Sequence, residues 1–249
     1  MSPTAKPGAG RTYFVADLHL TDERPAATGR FFRFLQDEMA GADALYILGD
    51  LFEAWTGDDH GERVAGDTAQ QLAALAAAGT RVYFMHGNRD FLLAKHYAAR
   101  AGMTLLPDPT RMDLYGTPTL LMHGDTLCID DTAYQRFRHH VRHPLTRALL
   151  PRLPRAWRQR MAQRARAGSE AAKSQKAADI MDVNVDEVVR VLRERQACRL
   201  IHGHTHRPAQ HVHPIDGRPC ERWVVPDWYT RWGYVVCDAA GCRLRMDAL

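Results

Sequence analysis

Five short runs of apolar, β-branched or aromatic residues recur along the chain, and each ends in polar residues. They are TYFVADLH (12–19), ALYILGD (44–50), RVYFMHGN (81–88), TLLMHGD (119–125) and RLIHGHTH (199–206). A run of this length closing on Gly, Asp, Asn or His reads as a buried strand entering a loop. Helical spacing fills gaps between them. Phe31, Phe34, Leu35 and Met39 share one face of RFFRFLQDEMA (30–40), and DTAQQLAALAAAG (67–79) ends on Gly79, a C-cap residue. After residue 206, RWVVPDW, WGYVVCDA and CRLRMDA follow closely, which predicts strands with an antiparallel part. Strand and helix alternating first, then strands, predicts one domain over 1–249 of the α/β (α+β) class, with two packed sheets. Ligands bind such folds at the carboxyl ends of the strands, where all five polar clusters fall.

Residues 134–178 break the rhythm. Leu145, Leu149, Leu153, Trp157 and Met161 recur every fourth residue, on one helical face whose other face is rich in Arg. Pro151 and Pro154 forbid one straight helix. The spacing predicts an inserted basic lid of two or more short helices. Its apolar stripe serves either as packed core or as a face for acyl chains or a membrane surface.

Charge sharpens this. The net charge is +4, yet residues 136–176 hold twelve Lys/Arg against one acid, Glu170, and the remainder is acidic. A cationic segment on an acidic body suggests an anionic partner. A run of interleaved stacking aromatics is missing from it, so no nucleic-acid partner is expected. No apolar run reaches membrane-spanning length, and MSPTAKPGAGRTYF lacks the apolar core of a signal peptide. The five cysteines are scattered without a CxxC pair and are expected to be free thiols in a reducing cytosol.

The chemistry lies in the polar clusters. Asp17 and His19 form a D-x-H pair, Asp50 and Asn88 each follow a glycine, His123 precedes one, and His204 and His206 form an H-x-H pair. Singly, each has a commoner structural role as a turn, a cap or a buried histidine. Together, three Asp/Asn and four His at strand ends point to bound metal. Oxygen and imidazole donors without thiolate suit Mn²⁺, Fe²⁺ or Zn²⁺. Seven ligands exceed what one catalytic ion with open positions can use. Two ions sharing a carboxylate fit the count, with Asp50 the central candidate.

In that order, DxH…GD…GN…HGD…GHTH resembles the calcineurin-like metallophosphoesterase signature over residues 12–206. The resemblance implies a two-sheet β-sandwich flanked by helices. It implies one ion on Asp17, His19, Asp50 and His206, a second on Asp50, Asn88, His123 and His204, and water activated between them for in-line attack on phosphorus.

The broad family usually places His after the GN, as general acid. Here Asn88 is followed by Arg89 and Asp90. Arginine keeps its proton at neutral pH, so it cannot assist an alkoxide. A phosphate leaving group, with a pKa near 6, needs no such help. Arg89 can instead neutralise phosphoryl oxygens. GNRD therefore points to a phosphoanhydride.

The same departure, with GDLFEAWTGDD (49–59), IHGHTHRPA (201–209) and DIMDVN (179–184), resembles one branch of the family, the UDP-2,3-diacylglucosamine hydrolases of lipid A biosynthesis. That resemblance covers nearly the whole chain. It implies cleavage to UMP and 2,3-diacylglucosamine 1-phosphate, attack on the UMP-side phosphorus and two Mn²⁺. It also implies a place on the cytoplasmic face of the inner membrane, peripherally held by anionic lipid. By position, Asn88 and Arg89 would meet the phosphates, Asp131 and Tyr134 the sugar, and Ser169, Lys173, Lys176 and His204 the glucosamine phosphate. Within this stretch the chain has the small residue Ala172. VVPDW (224–228) departs from the Gly-Asp-Trp expected there, a change expected to touch no ligand. Two alternatives differ in observable ways. An enzyme for soluble nucleotide pyrophosphates does not need the apolar stripe, and a non-catalytic scaffold would have lost ligands.

Overall fold

The computed structural model describes residues 10–59, 61–175 and 182–249, excepting the side chains of 169–175. Eleven strands and seven α-helices are defined among these residues. The first sheet is built on four parallel strands: β1 (Arg11–Val15), β2 (Ala42–Leu48), β3 (Arg81–Met85) and β4 (Met103–Leu106). Strands β10 (Arg231–Asp238) and β11 (Gly241–Ala248) add antiparallel beyond β1. The second sheet runs β5 (Thr110–Leu114), β6 (Thr117–Met122), β7 (Arg199–His202), β9 (Arg218–Val224), β8 (Ala209–Ile215), with β6, β7 and β9 parallel.

Period-two alternation assigns the faces. Phe14, Tyr46 and Met85 point inward and meet Met112, Leu121, Ile201 and Trp223 of the other sheet. Tyr13, Val15, Leu45, Ile47 and Phe84 point outward to Phe31 and Phe34 of α1 (Pro25–Asp37), Leu72 of α2 (Arg63–Ala77) and Tyr97 of α3 (Lys95–Arg100). Burying a side chain such as Phe31 or Phe34 contributes roughly 2–3 kcal/mol. The second sheet's outer face packs on Val188 and Leu192 of α7 (Val185–Glu194). Both sheets are thus covered on both faces, which is why their parallel strands read as unbroken apolar runs.

Helix α1 starts five residues earlier than its apolar spacing predicts, because Pro25 supplies a preformed first-turn φ. Gly79 takes the expected left-handed position beyond α2, at φ +103°. Strands β4, β5 and β8 and helices α3 and α7 are additional to the elements expected from the hydrophobic pattern. Asn184, of DIMDVN, caps α7 by accepting from the Glu187 N–H at 3.1 Å. Such a cap contributes ~1 kcal/mol. Asp179 to Met181 of that motif lie outside the described residues.

Between β6 and α7 come α4 (Thr132–Val141), α5 (Pro144–Leu149) and α6 (Arg155–Gln175). Pro151 sits in a short turn after α5, and α6 begins just after Pro154. The apolar stripe is not core: Leu145 is 67% exposed, Leu149 60% and Trp157 61%. The expectation of five free thiols also fails in part. Cys237 and Cys242 face each other on neighbouring strands and form a disulfide, while Cys128, Cys198 and Cys220 form none.

Candidate metal centre

The seven predicted ligands converge at the carboxyl ends of β1, β2, β3, β6 and β7. Asp17, His19, Asp50, His204 and His206 all adopt left-handed backbone, with φ between +50° and +72°. That costs an L-residue roughly 1–2 kcal/mol, and the cost is met by a lattice of backbone bonds. Asp17 N–H donates to Gly49 O at 3.1 Å, His19 N–H to Asp50 O at 2.9 Å, and Gly203 N–H to His123 O at 2.9 Å. His204 N–H donates to Asp17 Oδ2 at 2.7 Å. Trp228 N–H donates to Asp17 O at 3.0 Å. The contact is made by Trp228, which the VVPDW segment shares with the expected Gly-Asp-Trp, and not by the divergent Pro226.

Glycine is required where loops nearly touch. A Cβ on Gly87 would lie 2.1 Å from Asp50 Oδ1, and one on Gly203 would lie 2.4 Å from Asp17 Oδ2.

Ligand atoms of Asp17, His19 and His206 lie within 4.8 Å of one another, as do those of Asp17, Asp50 and His123. Asp50 faces both halves: Oδ2 is 3.7 Å from His19 Nε2 and Oδ1 is 4.0 Å from His123 Nε2. Asn88 Oδ1 lies 3.0 Å from His123 Nε2 and 3.1 Å from His204 Nδ1. Asp17 Oδ1 and both nitrogens of His19 are buried without a hydrogen-bond partner. Orphaned polar atoms of this kind cost about 1–3 kcal/mol each. A divalent cation would satisfy the carboxylate and one imidazole nitrogen together, so the residues fit the implied metal pair.

The electrostatics agree. Burial alone would raise the Asp17 carboxyl, but His206, His123 and His19 hold it well below the usual carboxylate range. Burial disfavours a charged His123, yet Asp50, Asp125 and Asp17 push it up to about 9. Burial and the neighbouring His123 bring His204 down to about 4. Metal binding there would release a proton from His123.

Arg89 is half-buried. Its backbone N–H donates to Asp50 Oδ1 at 2.8 Å, and its side chain adds positive charge near Glu53. Asp131 caps α4 by accepting from Tyr134 N–H at 3.0 Å. The Tyr134 hydroxyl donates to Asp125 Oδ2 at 2.8 Å, and its ring lies 5.9 Å from that of His204. Ser169 and Lys173 lie along α6 with undescribed side chains, and Lys176 lies outside the described residues. Beside His206 a cavity of about 410 Å³ opens, lined by Arg207, His211, Arg222 and Arg231 among others. Asp182 also lines it and pairs with Arg207, so its charge is mixed.

Several residues were not foreseen. Asp90 ties GNRD to the loop after β2, accepting from Leu51 N–H at 2.7 Å and Gly87 N–H at 2.8 Å. Asp125 is fully buried and anchors α4 through Arg138 Nε at 2.7 Å and the C-cap residue Arg142. Arg158 of α6 is buried against Asp59 and the Thr56 carbonyl. Glu53 and Tyr229 flank His19. An acid inside the apolar stretch LFEAW was the one available signal for Glu53.

Residues 10–208 match the calcineurin-like phosphoesterase family. A UDP-2,3-diacylglucosamine hydrolase of Pseudomonas aeruginosa (strain UCBPP-PA14) is 51% identical over 230 residues, 92% of this chain and 96% of that protein. One of Aromatoleum aromaticum is 50% identical over 228 residues, covering 92% and 93% of the two chains. One of Xanthomonas campestris pv. campestris (strain B100) is 50% identical over 245 residues, covering 96% and 99%.

Proposed function

The chain belongs to the calcineurin-like phosphoesterase family and, within it, to the UDP-2,3-diacylglucosamine hydrolases, and from that membership we propose how its residues carry the reaction. It hydrolyses the pyrophosphate of UDP-2,3-diacylglucosamine to UMP and 2,3-diacylglucosamine 1-phosphate, a step of lipid A biosynthesis. Asp17, His19, Asp50 and His206 would hold one divalent ion, and Asp50, Asn88, His123 and His204 the other; Mn²⁺ suits this donor set. When bound, the pair supplies an ionised water and neutralises charge on phosphoryl oxygens.

The chain's own groups do the rest. Asn88 and Arg89 orient the pyrophosphate, and the Arg89 guanidinium offsets charge on the departing phosphate, which leaves without a proton. Asp131, Tyr134, His204 and the lid residues Ser169, Lys173 and Lys176 steer the glucosamine phosphate to one side, which leaves the UMP phosphorus open to attack. The exposed stripe of α5 and α6 receives acyl chains, and its arginines favour anionic lipid. The protein would then work peripherally on the cytoplasmic face of the inner membrane.

The observation that carries this reading is an arginine fixed beside a metal end where a general acid would otherwise stand. Hydrolysis in ¹⁸O-labelled water with Mn²⁺ tests it. Label is expected in UMP; label in the lipid phosphate would reject attack on the UMP-side phosphorus.

A further inference from the structure

Glu53 lies outside the seven ligands, yet its carboxyl is buried at their edge, 6% exposed. Three parts of the chain meet on it. Oε2 lies 3.4 Å from His19 Nδ1 and accepts the Tyr229 hydroxyl at 3.1 Å. Oε1 is buried without a hydrogen-bond partner and lies 3.6 Å from Nε of Arg166 on α6. The far nitrogen of the same imidazole, His19 Nε2, faces Asp50 Oδ2 at 3.7 Å and Asp17 Oδ1 at 4.0 Å. The Tyr229 ring packs on His19 at 4.8 Å and on His206 at 5.5 Å.

A neutral imidazole has one donor and one acceptor nitrogen. A carboxylate at Nδ1 draws the proton there and leaves the Nε2 lone pair aimed at the cation side. Partners of this kind set the orientation and basicity of metal-binding histidines. The same carboxylate also faces Arg166. An ion at Nε2 makes the Nδ1–H a stronger donor and pulls Glu53 charge toward His19, which weakens the hold on Arg166.

We infer that Glu53 is a positioning residue shared between the first metal position and Arg166, in surroundings that Arg89 also makes positive: it aims His19 at that metal position, and metal loading there loosens helix α6 by drawing Glu53 away from Arg166. This rests on the metal reading above. The coupling is reciprocal, so losing Arg166 tightens metal binding by the factor that metal binding loosens the contact. Arg166 is 43% exposed at its side chain, and a contact of that kind supports only a small factor, about two- to fivefold. A purely structural ion pair predicts no change in metal affinity.

The test is Mn²⁺ titration without substrate, reading free ion by electron paramagnetic resonance, with hydrogen exchange of peptides spanning 155–168. Glu53→Ala is expected to weaken one of two ions by roughly 10- to 100-fold. Glu53→Gln, which keeps an acceptor oxygen beside His19 Nδ1, should recover most of that loss. Arg166→Ala should tighten the same ion about two- to fivefold. Mn²⁺ should speed exchange in 155–168 of the wild type but not of Glu53→Gln or Arg166→Ala. Thermal melts of Glu53→Gln, the isosteric variant, guard against a folding defect. Two ions bound by Glu53→Ala at wild-type affinity would overturn the positioning role. Unchanged or weaker binding by Arg166→Ala would overturn the coupling. If the wild type itself takes up no ion, the metal reading fails first and the inference falls with it.

Discussion

The metal end and the lid lie side by side but are built on opposite terms. At the metal end Asp17, His19, Asp50 and His123 are at most 2% exposed, and backbone bonds, glycines and left-handed turns fix each loop. On the lid, large apolar side chains face outward among arginines. Phosphoryl transfer needs groups placed to within a fraction of an ångström, whereas an acyl chain needs only an apolar surface. Rigidity is concentrated at the candidate metal centre, and exposed apolar area on the face proposed to receive acyl chains. The two meet through a few charged anchors: Asp125 with Arg138 and Arg142, Arg142 with the Gly87 carbonyl at 2.9 Å, and Arg158 with Asp59.

The sharpest way to break this contrast is at the metal end. Asp50→Ala should lower bound Mn²⁺ below two per chain and cut hydrolysis on the order of 10³-fold, measured by metal analysis and product assay. Its binding to anionic vesicles should stay unchanged; a parallel loss would mean the two regions are not separable.

Arg89→His should lower the rate of pyrophosphate cleavage about 10²-fold while metal content stays at the wild-type level. Loss of metal would make Arg89 a structural part of the centre instead.

On the lid, replacing Leu145, Leu149 and Trp157 together with Ser should reduce partition onto anionic vesicles roughly tenfold at low salt. Hydrolysis of soluble bis(p-nitrophenyl) phosphate should be unaffected, and sedimentation with vesicles beside that assay checks both. Equal retention on vesicles would remove the membrane role from the stripe.

A pH-dependent effect on stability, not on activity, falls at the boundary. Asp108 is buried beside Asp125, with Arg138 4.0 Å away, and burial followed by Asp125 raises its pKa to about 6. The native state then binds this proton more tightly than the unfolded chain. The contribution is greatest at low pH and is lost as pH rises from about 4 through about 6. Asp108→Asn should therefore stabilise the protein by ~1–3 kcal/mol at pH 8, and the gain should vanish below pH ~4. Urea unfolding at both pH values reads this directly.

The parts legible in the sequence were those written locally. Five strands announced themselves because both of their faces are buried, and the seven candidate ligands, which the structure brings together, because each stands at a strand end beside a glycine or a second candidate. The two-sheet architecture also holds. What escaped depends on long-range pairing. Tyr229 reaches Glu53 across 176 residues and Asp90 reaches Leu51 across 39, and nothing in either local stretch names its partner. The stripe of α5 and α6 shows a different limit, since periodicity identifies an apolar face but not what covers it. The disulfide escaped because the pairing of Cys237 with Cys242 depends on the register of β10 and β11.

The left-handed turns at Asp17, His19, Asp50, His204 and His206 bear on engineering. A designer copying seven side chains onto another scaffold would place the right chemistry on backbones that relax to ordinary φ and swing the donors apart. The transplantable unit is the set of crossing loops, with Gly49, Gly87 and Gly203 and their mutual amide bonds. For the same reason, drift at neighbouring positions that touch no ion, Trp228 among them, can erase the centre while every ligand survives in an alignment.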